Sequence, residues 1–333
     1  MTKKKISVVI PVFNEREILP LLFERLEGIE TRHPEYRWEF IFANDGSSDG
    51  SDELLRRQGA LKPNYCAIHF SKNFGHQIAV TAGMDYADGD AVALIDADLQ
   101  DPPEIIVEMI KLWEKGYAIV YGKRRSRAGE TFLKKKTAAL FYRILSIMTD
   151  TDIPVDTGDF RLMDRKVIEV VRQMRESHRF VRGIVAWTGF SSIAYEYDRH
   201  CRPAGETKYP LKKMLKFAVD AVLSFSNLPL RIASYIGWLA TLLGVLGILT
   251  VLYLRLFTVW TVPGISAVLV SVIFIGGVQL TILGIVGEYI GRMFTEMKGR
   301  PLYVVKGTDN IDLAGHSKKV EPHVFVPRER QLS

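Results

Sequence analysis

Apolar positions along the chain fall into two regimes. Over residues 1–163, short apolar runs alternate with stretches of helical spacing. "ISVVIPVF" reads as a strand that closes at Pro11, and "WEFIFAND" as a second that stops at Asp45 and Gly46. "YCAIHFS", "DAVALIDAD" and "AIVYGKR" give three more. Ile18, Leu21, Leu22 and Leu26 predict a helix over 15–27, and "GSDELLRRQ" a helix capped by Ser48 or Asp49. Further helices are expected over 76–86 and along "PEIIVEMIKLWEKG". Repeated strand–helix–strand units predict an α/β fold, a mostly parallel sheet with helices on both faces. Such sheets gather ligands at the carboxyl ends of their strands. Here the strands close on Asn14 and Glu15, Asn44 and Asp45, Asp96 and Asp98, and Lys123 to Arg125, which points to one shared site.

The second regime is continuous. Residues 232–254 and 264–287 carry no charged side chain. At about 1.5 Å per residue each forms a helix of roughly 35 Å, enough to cross a hydrocarbon core of about 30 Å. A short segment holding Arg255 and Trp260 joins them, with Trp260 suited to the interface. Lys212, Lys213, Lys216 and Arg231 precede the first run, and Arg292, Lys298 and Arg300 follow the second. That asymmetry predicts a multi-pass inner-membrane protein with its N-terminal domain and both termini in the cytoplasm. No signal peptide is expected in "KKKISVVIPVF", whose apolar run is short and lacks a small-residue cleavage site.

Just before the first span, Leu211, Met214, Leu215, Ala218, Val219 and Val222 form one stripe opposite Lys212, Lys213, Lys216 and Asp220. This is the pattern of a helix lying on a lipid bilayer, and residues 131–149 give a looser second case. The expected organisation is a 1–205 domain, a surface helix over 206–228, two transmembrane helices over 229–292 and a 293–333 tail in which "LYVV" reads as a final strand. The net charge of +6 suits a protein resting on anionic lipid, and no nucleic-acid-binding motif is present. Cys66 and Cys201 read as free thiols.

The chemistry concentrates in "LIDADLQDPPE". Pro102 and Pro103 stop the strand, and alternation along an extended chain sends Asp96 and Asp98 to the same side. Two like charges side by side repel, and a divalent cation relieves them. Asp45 can accept hydrogen bonds from a base or ribose. Arg124, Arg125 and Arg127 follow a strand on the same edge, and Arg202 and Lys208 precede the surface helix; such a cluster suits a phosphate at headgroup level. His76, after "NFG", reads first as a hydrogen-bonded structural residue and second as one that caps a helix or lines the site. His33, His69, His178 and His200 show no metal-ligand spacing. Gln279, with Gly276, Gly277 and Gly284, hints at a homo-oligomer, a tetramer among the options, packed in the bilayer.

In order along the chain, "IPVFNE", "ANDGSSDGS", "KNFGHQIAVTAGMDYADGD", "DADLQDPPE", "DTGDFRLMDR" and "AGETKYPLKKML" resemble the family 2 glycosyltransferases, which adopt the nucleotide-sugar-binding GT-A fold. The resemblance spans about residues 6 to 300 and is nearest to the enzymes that glycosylate polyisoprenyl phosphates, dolichol-phosphate-mannose synthases and bactoprenol glucosyltransferases. It implies that Pro11, Asn14, Glu15 and Asp45 line a nucleotide pocket. Asp96 would lie near the donor ribose and phosphates, and Asp96 with Asp98 would hold Mg2+ or Mn2+, with Gln100 nearby. Lys208 of "GETK" would bind the acceptor phosphate. Asp156, or else Asp159, would lie near the acceptor as base or orienting group, with Arg161 a partner for either.

The implied activity is inverting transfer of one sugar, glucose, from a UDP-sugar to undecaprenyl phosphate. The alternatives are GDP-mannose or another UDP-sugar as donor, and a non-catalytic adaptor or flippase component. A processive synthase is disfavoured, because its Gln-x-x-Arg-Trp motif is missing and it needs more spans.

Overall fold

The computed structural model describes residues 3–125, 157–198, 228–257 and 264–311. The surface helices expected near 131–149 and 211–222 lie outside the described residues, as does Cys201. In chain order the elements are β1 (Lys5–Val12), α1 (Leu19–Arg32), β2 (Arg37–Asn44), α2 (Ser51–Leu61), β3 (Tyr65–Phe70), α3 (His76–Tyr86), β4 (Ala91–Leu94) and α4 (Ile105–Glu114). They continue with β5 (Ile119–Arg124), β6 (Thr157–Asp164), α5 (Arg165–Gln173), α6 (Val181–Trp187), β7 (Ser192–Tyr197), α7 (Leu228–Phe257), α8 (Ile265–Met297) and β8 (Val305–Asp309).

One 8-stranded sheet, in the order β7-β5-β6-β4-β1-β2-β3-β8, organises the soluble part. Strands β1 to β5 and β7 run in one sense, while β6 and β8 are antiparallel to their neighbours. The alternation of apolar residues builds a layer on each face. Ile6, Val8, Ile10 and Val12 pack with Leu19, Leu22 and Leu26 of α1 and Ile106 and Ile110 of α4. Val9, Ile41 and Ala43 pack on the opposite face with Ala79 and Val80 of α3 and Val167 and Ile168 of α5. Each fully buried Ile or Leu contributes about 1.5–3 kcal/mol through its apolar area. Gly83 lets α3 press directly on β1, since a Cβ there would meet Val9 Cγ1 at 2.1 Å.

Several sequence expectations shift for identifiable reasons. Strand β1 passes through Pro11 and ends at Val12. Pro11 is tolerated because it faces the β4 side, where the last ladder bond is Ile95 N to Val9 O, so no N–H is needed there. Helix α1 begins at Leu19, four residues later than expected, because the Glu15 and Arg16 amides donate to Ser51 Oγ and Asp49 Oδ2 at the start of α2. Gly50, with φ of 91°, takes the N-cap position of α2, while Asp49 Oδ1 accepts from Ser51 N; Ser48 does not cap it. Strand β4 stops at Leu94, so Asp96 and Asp98 lie beyond the ladder and not on an extended strand.

The apolar runs form helices α7 and α8, whose side chains Trp238, Leu242, Phe274 and Leu280 are exposed. Both are long and apolar enough to cross a membrane. After α8 the chain returns to the sheet. Tyr303 is fully buried, stacks on Phe70 with centroids 5.1 Å apart and donates to Asp85 Oδ2 at 2.9 Å. The final strand lies three residues beyond the "LYVV" expectation and closes the β3 edge.

Candidate active site

Because β1, β2, β4, β5 and β7 share a direction, their carboxyl ends meet at one rim. Antiparallel β6 brings its amino end to the same place. Leu94 pairs with Arg161 at the end of the β4–β6 ladder, and Asp96 follows just beyond it while Asp159 lies in β6. His76, the first residue of α3, stands between them: its Nε2 lies 3.2 Å from Asp159 Oδ2 and 3.6 Å from Asp96 Oδ1.

Asp159 is held by three donors. Arg182 Nε reaches Oδ1 at 2.7 Å, and Gln77 Nε2 joins His76 on Oδ2 at 3.1 Å. Gln77 Oε1 in turn accepts from Val181 N at 2.9 Å, fastening α6 to α3. Burial opposes the Asp159 carboxylate, yet Arg182 and His76 outweigh it and hold the group well below the usual carboxylate range. Burial likewise opposes the His76 cation, but the Asp159 hydrogen bond and the Asp96 charge push its pKa up to about 9. Burial pushes the Asp96 carboxyl up to about 6, with Asp159, Asp98 and Asp101 adding to the rise and His76 pulling against it. A third of the Asp96 side chain still meets solvent. Arg161 donates to the Gly158 and Asp159 carbonyls and so shapes the start of β6; Asp156, the other partner expected for it, lies outside the described residues.

The other wall is built by the β1 and β2 ends. Asn14 adopts a left-handed backbone with φ of 55°; its amide donates to Ser47 Oγ at 3.0 Å and its Oδ1 accepts from Ser48 N at 2.8 Å. Glu15 follows directly, and Pro11 lies in the strand beneath. Asp45 is buried, and its two oxygens accept from Phe74 N at 2.6 Å and Gly75 N at 2.9 Å. It therefore fixes the turn that presents His76. Gln100 N donates to Asp98 Oδ1 at 3.1 Å in a tight turn.

The expected basic cluster is only partly visible. Arg124 is mostly buried beside Asp101, 3.8 Å away, and against Gly158, while Arg125 is exposed near Asp198. Tyr197 donates to the same Asp101. Arg127, Asp156, Arg202 and Lys208 lie outside the described residues. Sequence reasoning assigned His76 a structural part and passed over Gln77 and Arg182. His76 and Gln77 sit inside the quoted "NFGHQ" stretch, but only the folded chain brings Arg182 to them.

The donor set suits a hard divalent cation. Asp96 and Asp98 offer carboxylate oxygens, and the Asp98 charge helps to raise the Asp96 pKa; no group of three or more metal-binding side chains gathers among the described residues. Two carboxylates fit an ion that completes its shell with phosphate and water.

Comparison with known proteins gives the family. Residues 7–172 match "Glycosyl transferase family 2". An uncharacterised glycosyltransferase of Bacillus subtilis (strain 168), YkcC, is 53% identical over 306 residues, 92% of this chain and 94% of that protein. A bactoprenol glucosyl transferase of Shigella phage SfII is 39% identical, covering 91% of this chain and 97% of that one. Among solved structures, a Mycobacterium tuberculosis glucosyl-3-phosphoglycerate synthase in complex with Mn2+, UDP-glucose and phosphoglyceric acid aligns with TM-score 0.40 and 15% identity. It covers 66% of this chain and 78% of its own, a likeness too distant to bear on the site. With the GT-A-type sheet and matches spanning nine-tenths of its length, this chain belongs to glycosyl transferase family 2.

Proposed function

We propose that this protein transfers one glucose from UDP-glucose to a polyisoprenyl phosphate, undecaprenyl phosphate, at the cytoplasmic face of a membrane in which α7 and α8 are embedded. The observation that carries this reading is the 39% identity, across 91% of this chain, to a relative named a bactoprenol glucosyl transferase. The acidic cleft at the sheet's carboxyl rim supports it chemically. Anchoring serves proximity: a water-soluble donor meets an acceptor whose phosphate lies at the bilayer surface. A homo-oligomer packed through the spans is part of the same proposal.

In the reaction, an oxygen of the lipid phosphate bonds to the anomeric carbon as the bond from that carbon to the nucleotide diphosphate breaks. The configuration inverts, and no glycosyl-enzyme forms. Asp96 and Asp98 would hold Mg2+ or Mn2+, which when bound neutralises charge on the departing nucleoside diphosphate. A phosphate monoester has a second pKa near about 6, so at neutral pH the acceptor is mainly a dianion with no proton to remove. Asp159 suits that chemistry. A general base works best with a pKa near the operating pH, whereas Asp159 is held far lower and accepts from three donors. We assign it the task of orienting His76 and Arg182 toward the cleft.

The test is transfer of radiolabel from UDP-glucose to undecaprenyl phosphate by the purified chain, with GDP-mannose and UDP-galactose in parallel. Label in the organic phase from UDP-glucose alone, lost in Asp98→Ala, is expected. Transfer from GDP-mannose instead would replace the donor, and no transfer from any donor would remove the reading.

A further inference from the structure

The segment after α8 re-enters the soluble domain, and one of its side chains begins a hydrogen-bonded path to the cleft. Asp309 Oδ2 accepts from His69 Nε2 at 2.8 Å. Across the ring, His69 Nδ1 lies 3.1 Å from Asn44 Nδ2, and Asn44 Oδ1 accepts from Ser47 N at 3.0 Å. Ser47 Oγ then accepts from Asn14 N, and Asn14 Oδ1 from Ser48 N.

The direction of each link is forced by the one before it. A backbone amide only donates, so Asn44 must turn its oxygen to Ser47 and its NH2 to His69. His69 Nδ1 can then only accept, which puts the ring proton on Nε2, where an acceptor is required. Asp309 is that acceptor, steadied on its other oxygen by Arg56 Nη1 at 3.2 Å. Asn44 is 2% and His69 3% exposed, so water does not replace a lost partner. At the far end, Asn14 holds a left-handed backbone that a non-glycine residue keeps only when its surroundings fix it.

We infer that Asp309, acting through His69 and Asn44, is a positioning residue for the Asn14 and Ser47–Ser48 loop on the donor side of the cleft. The inference rests on the glycosyltransferase reading above. It assigns the strand that follows the membrane helices a part in the reaction: it sets the wall against which the nucleotide lies.

The experiment uses the full chain in detergent or nanodiscs and compares Asp309→Ala with Asp309→Asn, which keeps an acceptor for His69. Four quantities are read: the Kd for UDP by calorimetry, the KM for each substrate, amide exchange across residues 44–51, and the thermal midpoint. Losing one buried hydrogen bond is expected to raise the UDP Kd and the donor KM about five- to tenfold in the alanine variant. The lipid KM stays unchanged, exchange at Ser47 and Ser48 quickens, and Asp309→Asn returns near wild type. Should the alanine variant fail to fold, Asp309→Glu, which displaces the carboxylate by one methylene, is expected to shift the same readouts in the same direction.

Unchanged UDP affinity and exchange in a folded variant overturn the inference. So does an equal rise in both KM values with a lowered thermal midpoint, the mark of general destabilisation. A wild type that neither binds UDP nor transfers sugar removes the glycosyltransferase reading and this inference together. That outcome is distinct from a wild type that binds UDP beside a variant that binds it equally well.

Discussion

His76 Nε2 lies within 3.6 Å of both Asp96, just past the end of β4, and Asp159 of β6. The shared imidazole lowers both carboxyls, so the difference between them comes from elsewhere. Desolvation raises Asp96, with Asp159, Asp98 and Asp101 adding to the rise, whereas at Asp159 the neighbouring Arg182, added to His76, outweighs burial and holds it low.

Removing Asp159 leaves Arg182 and His76 without their common anion. Asp159→Ala is expected to lower stability by about 3–5 kcal/mol, the range for stranding a buried charge. Turnover is expected to fall about 100-fold as the two side chains lose their orientation. Chemical denaturation and initial rates of lipid glucosylation check the two effects separately. A loss in rate without any loss in stability would mean that Asp159 acts on substrate directly.

If Asp96 and Asp98 hold a cation as proposed, activity depends on free metal. A chelator such as EDTA is expected to abolish transfer, and Mn2+ or Mg2+ to restore it. Asp98→Asn is expected to need at least about tenfold more cation, because one of two charged oxygen ligands becomes neutral. Activity measured against free metal concentration decides the point.

Acidity acts through Asp96. Its carboxyl is pushed up to about 6, so the ionised form is lost on moving down from neutral pH. Cation affinity and kcat/KM are therefore expected to fall about tenfold per pH unit below pH 6 and to be flat above it, since the deprotonated form is the ligand. In Asp96→Asn the acidic limb in cation affinity should disappear along with most of the activity. The limb in rate set by the acceptor phosphate, whose second pKa is also about 6, should remain. A pH–rate profile at saturating lipid reads it.

Tyr303 tests how firmly the return segment is held. Its hydroxyl donates to Asp85, which also receives Arg175 Nη1 at 2.8 Å. Tyr303→Phe is expected to cost about 1 kcal/mol, hence about 2–4 °C in thermal midpoint, because Asp85 keeps its arginine. Differential scanning fluorimetry of the detergent-solubilised chain measures it.

Strands β1 to β5 were legible because they are short apolar runs bounded by local polar and turn residues. Strands β6 and β7, which mix polar and apolar residues, were not expected, nor was the antiparallel insertion of β6 between β4 and β5. The rim was legible too, since parallel strands carry their polar closing residues to one edge. Asp96 and Asp98 could be singled out from spacing alone, although the strand ends before them and a turn, not strand alternation, arranges them. His76 is hydrogen-bonded as expected, to Asp159, but only the folded chain reveals that two acids stand around it. Arg182 carries no local signal; α6 brings it to Asp159 through packing. The late start of α1 was hidden for a similar reason, as the amides of Glu15 and Arg16 are claimed by residues of another loop.

The placement of β8 has a consequence for biogenesis. Its residues leave the ribosome after both apolar helices, yet it closes the open edge beside β3 and buries Tyr303. A nascent chain that has completed β7 still exposes that unpaired edge, an invitation to mispairing. The sheet thus reaches its final form only after both apolar helices have been synthesised, which ties completion of the site's fold to the last part of the chain to emerge.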